Sequence, residues 1–286
     1  MAPRRSPGPI PLDSARRAVR ARIARAPSLF IALDYDGTLV PIASRPELAR
    51  PAPETLAVLA SLTATPRVRV AVLSGRRLDE LKALLPVSGL IFAGLHGLEV
   101  RPPVHDAAWA MDKRGIRTEL KRLLRRLRER LGDAPAPRIE DKGQALAFHF
   151  RGFPPSEIRR MRQAVRDAFE ALGDETPMRL APGKQVLEAR RAGIDKGRCA
   201  LVLRARAGRG SLPIVLGDDV TDEDLFAAFA ADGITVRVGR RSGKTRARYW
   251  VRSPEEVLHW LREILRIRQE APARRTRSLN REGERT

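Results

Sequence analysis

The sequence predicts an α/β protein: a doubly wound parallel sheet with helices on both faces, carrying an inserted, smaller α/β unit. Three observations lead there. Short apolar runs, Leu29–Leu33, Val68–Leu73, Leu90–Ala93, Ile214–Leu216 and Ile234–Val238, are each bounded by polar residues or glycine, as buried parallel strands are. Helical stretches such as Pro53–Leu62 and Arg77–Leu85 separate them, the alternation of a doubly wound sheet. The pattern stops at Pro102-Pro103 and returns near residue 194, so an insertion divides the core.

In chain order, residues 1–27 read as a basic tail with a short helix begun near Asp13 or Ser14. Residues 28–101 and 194–266 form the core, and 267–286 a basic C-terminal tail. The insertion, 102–193, opens with a long basic amphipathic helix over about 112–131. An alternating stretch, Ala145–Arg151, follows, with Leu146, Phe148 and Phe150 on one face and His149 and Arg151 on the other. A second helix covers about Ser156–Leu172. A hairpin turning at Pro182-Gly183 then places Lys184, Val186, Glu188 and Arg190 on one face of its second strand. The expected insert is a sheet with its apolar face under two helices and its polar face toward water or a ligand.

Composition narrows the function classes. The 286 residues are 43% hydrophobic and 31% charged, enough for one large core or a core with an insertion. Apolar runs are far shorter than the ~20 residues of a membrane span. No apolar segment before Asp34 could serve as a secretory signal, and Asp13 with the early prolines argues against a transit peptide. The single cysteine, Cys199, has no cysteine partner for a disulfide or metal site, which points to the reducing cytoplasm. The net charge of +21 is spread over both termini and the middle helix, mostly as arginine. With aromatics at only 5% and no stacking series, nucleic-acid binding is expected to be nonspecific if it occurs.

The chemistry begins at Asp34-Tyr35-Asp36-Gly37-Thr38-Leu39. An apolar strand ends in two carboxylates spaced i, i+2, where open α/β sheets bind ligands. The spacing can put both on one side of the chain. Together they are electrostatically costly unless one holds a proton or a cation lies between them, and a hard divalent ion such as magnesium resolves that cost. Later strand ends add Ser74-Gly75-Arg76 and Gly217-Asp218-Asp219-Val220-Thr221-Asp222. Helix-start acidity accounts for Glu223 and Asp224, but not for Gly-Asp-Asp directly off a buried strand. Asp195-Lys196-Gly197 precedes a further helix, where a lysine can neutralise phosphate and carboxylate charge.

These motifs resemble those of the haloacid-dehalogenase (HAD) superfamily of phosphatases, whose first motif is DxDGTL. The resemblance implies a Rossmann-like HAD core, with Asp34 as nucleophile forming an aspartyl-phosphate and Asp36 as general acid and base. It implies Ser74 and Lys196 as phosphoryl-binding groups, supported by Gly75, Arg76, Asp219 and Asp222. Mg2+ would be held by Asp34, the Asp36 carbonyl and Asp218. The insert corresponds to a cap.

The cap segments resemble those of trehalose-6-phosphate phosphatases: Gly94-Leu95-His96-Gly97-Leu98-Glu99, Glu140-Asp141-Lys142-Gly143 leading to His149-Phe150-Arg151, Gly183-Lys184-Gln185-Val186-Leu187-Glu188-Ala189-Arg190, and LGDDVTDEDLF over 216–226. The resemblance spans about 28–260. It implies His96, Glu140, Lys142, Arg151, Lys184 and Glu188 as substrate contacts, and these supply the donors and acceptors that a neutral sugar requires. Leu95 departs from the family, which carries a polar residue there more often. Many relatives also carry a synthase domain, for which 286 residues leave no room. The expected partner is a small sugar phosphate met by a monomer. Alternatives are a sucrose or hexose phosphatase, a phosphomutase, or a nucleic-acid-binding protein on the same scaffold.

Overall fold

The structure, a computed structural model, describes residues 8–103, 113–183, 185–208, 210–239 and 244–270. Up to the insert the elements are β1 (Ile10–Pro11), α1 (Arg16–Arg25), β2 (Leu29–Leu33), α2 (Pro53–Ala64), β3 (Val68–Leu73), α3 (Leu78–Leu84), β4 (Ile91–Gly94) and β5 (Glu99–Arg101). Next come α4 (Lys113–Leu131), β6 (Arg138–Asp141), β7 (Ala145–His149), α5 (Pro155–Glu170), β8 (Met178–Gly183) and β9 (Val186–Arg191). The chain then forms α6 (Lys196–Arg206), β10 (Leu212–Gly217), α7 (Glu223–Ala228), β11 (Ile234–Val238), β12 (Tyr249–Val251) and α8 (Pro254–Glu270).

One sheet has the order β1-β12-β11-β10-β2-β3-β4-β5 and is parallel throughout except for β5. All five residues of β2 are buried, as its unbroken apolar run requires of a central strand. Its side chains alternate between two cores. Leu29, Ile31 and Leu33 join residues of α1, α2 and α8, whereas Phe30 and Ala32 join Cys199, Leu203 and Phe226 of α6 and α7. The sheet is therefore covered on both faces, and its C-terminal edge presents the turns after β2, β3, β4 and β10.

The second sheet is antiparallel, with order β6-β7-β9-β8. Leu146, Phe148, Leu187 and Ala189 pack with Leu120, Leu123 and Leu127 of α4 and Met161 and Val165 of α5. Glu188 and Arg190 lie on the opposite side and are buried as well.

Several expectations need correction. The short helix expected near Asp13 is present, as a turn over Asp13–Ala15 leading into α1, but residues 10–25 are packed onto the core rather than trailing as a tail. β1 pairs with β12, Val19 and Ile23 are buried in the main core, and Glu263 of α8 accepts from Arg16 Nε at 3.1 Å and Arg20 Nη1 at 2.5 Å. At the other end α8 runs to Glu270 with Ile267 buried, so the fold continues past 266. β7 ends at His149, which leaves Arg151 exposed in the following turn rather than on the sheet face. The hairpin does not turn at Pro182-Gly183. β8 continues to Gly183, which pairs with Val186, and Gln185 takes the left-handed conformation at φ 62°. Lys184, Asp112 and the segments 1–7 and 271–286 lie outside the described residues.

Candidate active site

The apolar strands deliver their polar successors to one edge of the parallel sheet. Asp34 follows β2 and its amide donates to Leu216 O at 3.0 Å, tying it to β10. Lys196 opens α6, with Asp195 as its N-cap accepting from the Arg198 amide. The Lys196 ammonium lies 2.6 Å from Asp34 Oδ1 and 2.7 Å from Asp222 Oδ1, and Lys196 is only 2% exposed. Asp222 Oδ2 accepts from the amides of Asp218 and Asp219, each at 2.9 Å. Asp222 thus holds both the lysine and the turn that carries Asp218, while Asp219 completes a capping box with it.

Two glycines make this closeness possible. A Cβ on Gly37, which sits at φ 87°, would lie 2.3 Å from Asp218 Oδ2, and one on Gly217 would lie 2.3 Å from Asp222 Cγ. Any side chain at either position would push the carboxylates apart.

Burial pushes the Asp34 carboxyl well above its usual range. Lys196 opposes the shift, and the neighbouring Asp222 and Asp218 add to it. Burial alone would lower the Lys196 ammonium, yet Asp222 and Asp34 hold it above its ordinary value. One cation therefore serves two buried acids. Carboxylate atoms of Asp34, Asp218 and Asp222 lie within 4.8 Å of one another. A hard divalent cation fits such a set of oxygen donors. Asp222 is engaged by an ammonium and two amides, so Asp34 and Asp218 are the members of the set that could turn an oxygen to a cation.

Asp36 is held differently. Arg76 Nε and Nη2 donate to its two carboxylate oxygens at 2.8 and 2.7 Å, and Nη2 also reaches Pro46 O at 2.9 Å. Ser74 is buried, and its hydroxyl accepts from the Arg76 amide at 3.1 Å. Thr38 is fully buried with its hydroxyl unbonded. It lies inside the first motif, between Gly37 and Leu39.

The second sheet meets this edge at the Ser74 turn. Lys142 Nζ donates to Gly75 O at 2.9 Å and lies 3.3 Å from Glu188 Oε2. His96 Nε2 is 3.5 Å from Glu188 Oε1, and the His96 amide donates to Ser74 O at 2.8 Å. Burial lowers the His96 pKa to about 4. Glu188 is held well below the carboxylate range: His96, Lys142 and Arg190 together outweigh its burial. Glu140 instead pairs with His149 at 2.9 Å, both side chains being well exposed. The sheet register places Arg151 at the opposite end of β7 from Lys142. So His96, Lys142 and Glu188 come together, Glu140 lies beside them on β6, and Arg151 does not join. Arg190, which shares the polar face of β9, lies against Glu188.

Residues 32–254 match the family described as trehalose-phosphatase. A trehalose-phosphate phosphatase of Mycobacterium tuberculosis is 34% identical over 267 residues, covering 89% of this chain and 65% of that protein. The chain therefore spans just under two thirds of that relative's length. A solved Aspergillus fumigatus trehalose-6-phosphate phosphatase superposes with a TM-score of 0.69 at 28% identity, covering 91% of this chain and 99% of that one. The C-terminal domain of a C. albicans trehalose-6-phosphate phosphatase gives a TM-score of 0.77 at 22% identity, covering 91% and 99%. At that identity the likeness speaks for the fold alone.

Proposed function

The chain belongs to the trehalose-phosphatase family, and from that premise we propose that it hydrolyses trehalose 6-phosphate to trehalose and inorganic phosphate, with magnesium and through a phosphoryl group carried on Asp34. The observation that carries the mechanism is the buried Lys196 between Asp34 and Asp222, beside Asp218.

Asp34 attacks phosphorus, and the bond to the sugar oxygen breaks. Lys196 favours the anionic form of the attacking carboxylate against the effect of burial and faces the charge of the phosphoryl oxygens. The Ser74 hydroxyl donates to one of those oxygens. Asp36 gives its proton to the departing sugar oxygen, then takes one from the water that attacks the aspartyl-phosphate. Arg76 holds Asp36 by both oxygens, so proton transfer requires one of those bonds to yield. Magnesium, when held by Asp34, the Asp36 carbonyl and Asp218, supplies charge neutralisation and orientation of the phosphoryl group. Glu188, Lys142, His96 and Glu140 meet the sugar hydroxyls, and the second sheet acts as the cap that excludes water.

The test is acid quenching during turnover, with mass analysis of the peptide that contains Asp34. That peptide should carry one phosphoryl group in the wild type and none in Asp34→Asn, whose turnover should fall by about 10³-fold or more. Full turnover in Asp34→Asn would overturn the mechanism.

A further inference from the structure

Arg190 is 2% exposed, yet its Nε and Nη1 make no hydrogen bond. Its ion pair is with Glu188, two residues earlier on the same face of β9, and Nε stands 4.0 Å from Oε1. Across the ladder the residue directly opposite is Arg179, a second cation, which pairs with Asp224 at 3.9 Å; Asp224 and Asp195 of the core also favour a charge on Arg190, but neither is within hydrogen-bond reach of its Nε or Nη1. Like charges placed opposite are destabilising, and a buried guanidinium with unmade donors is costly. A methionine or leucine of similar bulk would fill the seam without that cost. Packing therefore does not explain an arginine here.

Its surroundings do. Glu188 Oε2 is taken by Lys142, whereas Oε1 is buried and unbonded, 3.5 Å from His96 Nε2 and 4.0 Å from Arg190 Nε. Two cations flank Glu188, one behind each oxygen. The Lys142 ammonium is itself fixed to Gly75 O in the Ser74 turn. Arg190, buried in strand β9, is the cation on the Oε1 side.

We infer that Arg190 is a positioning residue: it steers Glu188 so that Oε1 accepts a sugar hydroxyl of the substrate. The inference rests on the reading that Glu188 touches the sugar, and it adds a residue that acts through Glu188 rather than on the phosphoryl group. The phosphoryl site, built from Asp34, Lys196 and Ser74, does not depend on it. Arg190 therefore affects substrates with a polyhydroxyl leaving group and spares those without one.

The experiment is a double-mutant cycle with Arg190→Met and Glu188→Gln, run with magnesium on two substrates. One is the sugar phosphate that the wild type hydrolyses best. The other is p-nitrophenyl phosphate, whose leaving group offers Glu188 no hydroxyl. Each single variant should raise KM for the sugar phosphate about tenfold, and for Arg190→Met kcat/KM for p-nitrophenyl phosphate should stay within about twofold. The double variant should be no worse than the worse single variant. Arg190→Lys, which keeps the charge but not the planar fork, should fall between, and it carries the cycle if Arg190→Met fails to fold. Equal losses on both substrates, or additive losses in the double variant, would overturn the inference. So would a wild type that favours no sugar phosphate over p-nitrophenyl phosphate. A preference for a sugar phosphate other than trehalose 6-phosphate would overturn the substrate reading and leave the Arg190 cycle readable.

Discussion

At the scale of residues, the site is governed by how cations are matched to buried acids. Lys196 alone answers both Asp34 and Asp222, while Glu188 stands between the two cations Lys142 and Arg190, with the His96 ring beside it. His96 brings a measurable pH dependence. Its pKa falls from an ordinary 6.5 to about 4 because it is buried. Above pH ~6.5 the ring is neutral in both states and contributes no slope. As the pH falls from ~6.5 to ~4 the unfolded chain binds a proton that the folded one refuses, so stability drops, by up to a few kcal/mol. Below ~4 the slope ends. His96→Asn, compatible with the backbone φ of 56°, should lack that component. Urea unfolding at a series of pH values should show the stability cost of His96→Asn shrinking across this window. A cost independent of pH would contradict the assignment.

At the scale of elements, the central strands were legible because burial on both faces demands an unbroken apolar run, which is a local property. The motifs off β2, β3 and β10 were legible for the same reason: strand, turn and carboxylate are adjacent in sequence. The three-residue β5 and β12 and the two-residue β1 were not, since so short a run carries no periodicity and is set by its neighbours. The Arg76–Asp36 pairing and the setting of Arg190 depend on contacts between distant segments, which spacing along one strand cannot reveal. The N-terminal helix makes the point energetically. Its arginines read as a solvated tail, yet Arg16 and Arg20 neutralise Glu263, which is 4% exposed, and Val19 and Ile23 are each 1% exposed. Removing residues 1–25 strips apolar cover from β10 and β11 and leaves a buried carboxylate unpaired. We expect a loss of about 3–5 kcal/mol, roughly 10 °C in the thermal midpoint. An unchanged midpoint would show that this helix is dispensable.

At the scale of the whole molecule, the +21 charge and the catalytic constellation make separate claims. No helix among the described residues is long and apolar enough to cross a membrane. The charge should produce DNA binding without sequence preference that weakens steeply between about 50 and 200 mM salt. Binding that persists at 200 mM salt and prefers one sequence would point to a dedicated nucleic-acid role. The catalytic claim is narrower: phosphoryl chemistry from the parallel sheet's edge, with substrate choice made by Glu188, Lys142 and His96 at the seam with the second sheet. Its most direct test is phosphate release from trehalose 6-phosphate, sucrose 6-phosphate and glucose 6-phosphate, with magnesium and after chelation. The expected result is magnesium-dependent release with the highest kcat/KM on trehalose 6-phosphate. Equal or greater kcat/KM on either other sugar phosphate, or full activity after chelation, would contradict the account.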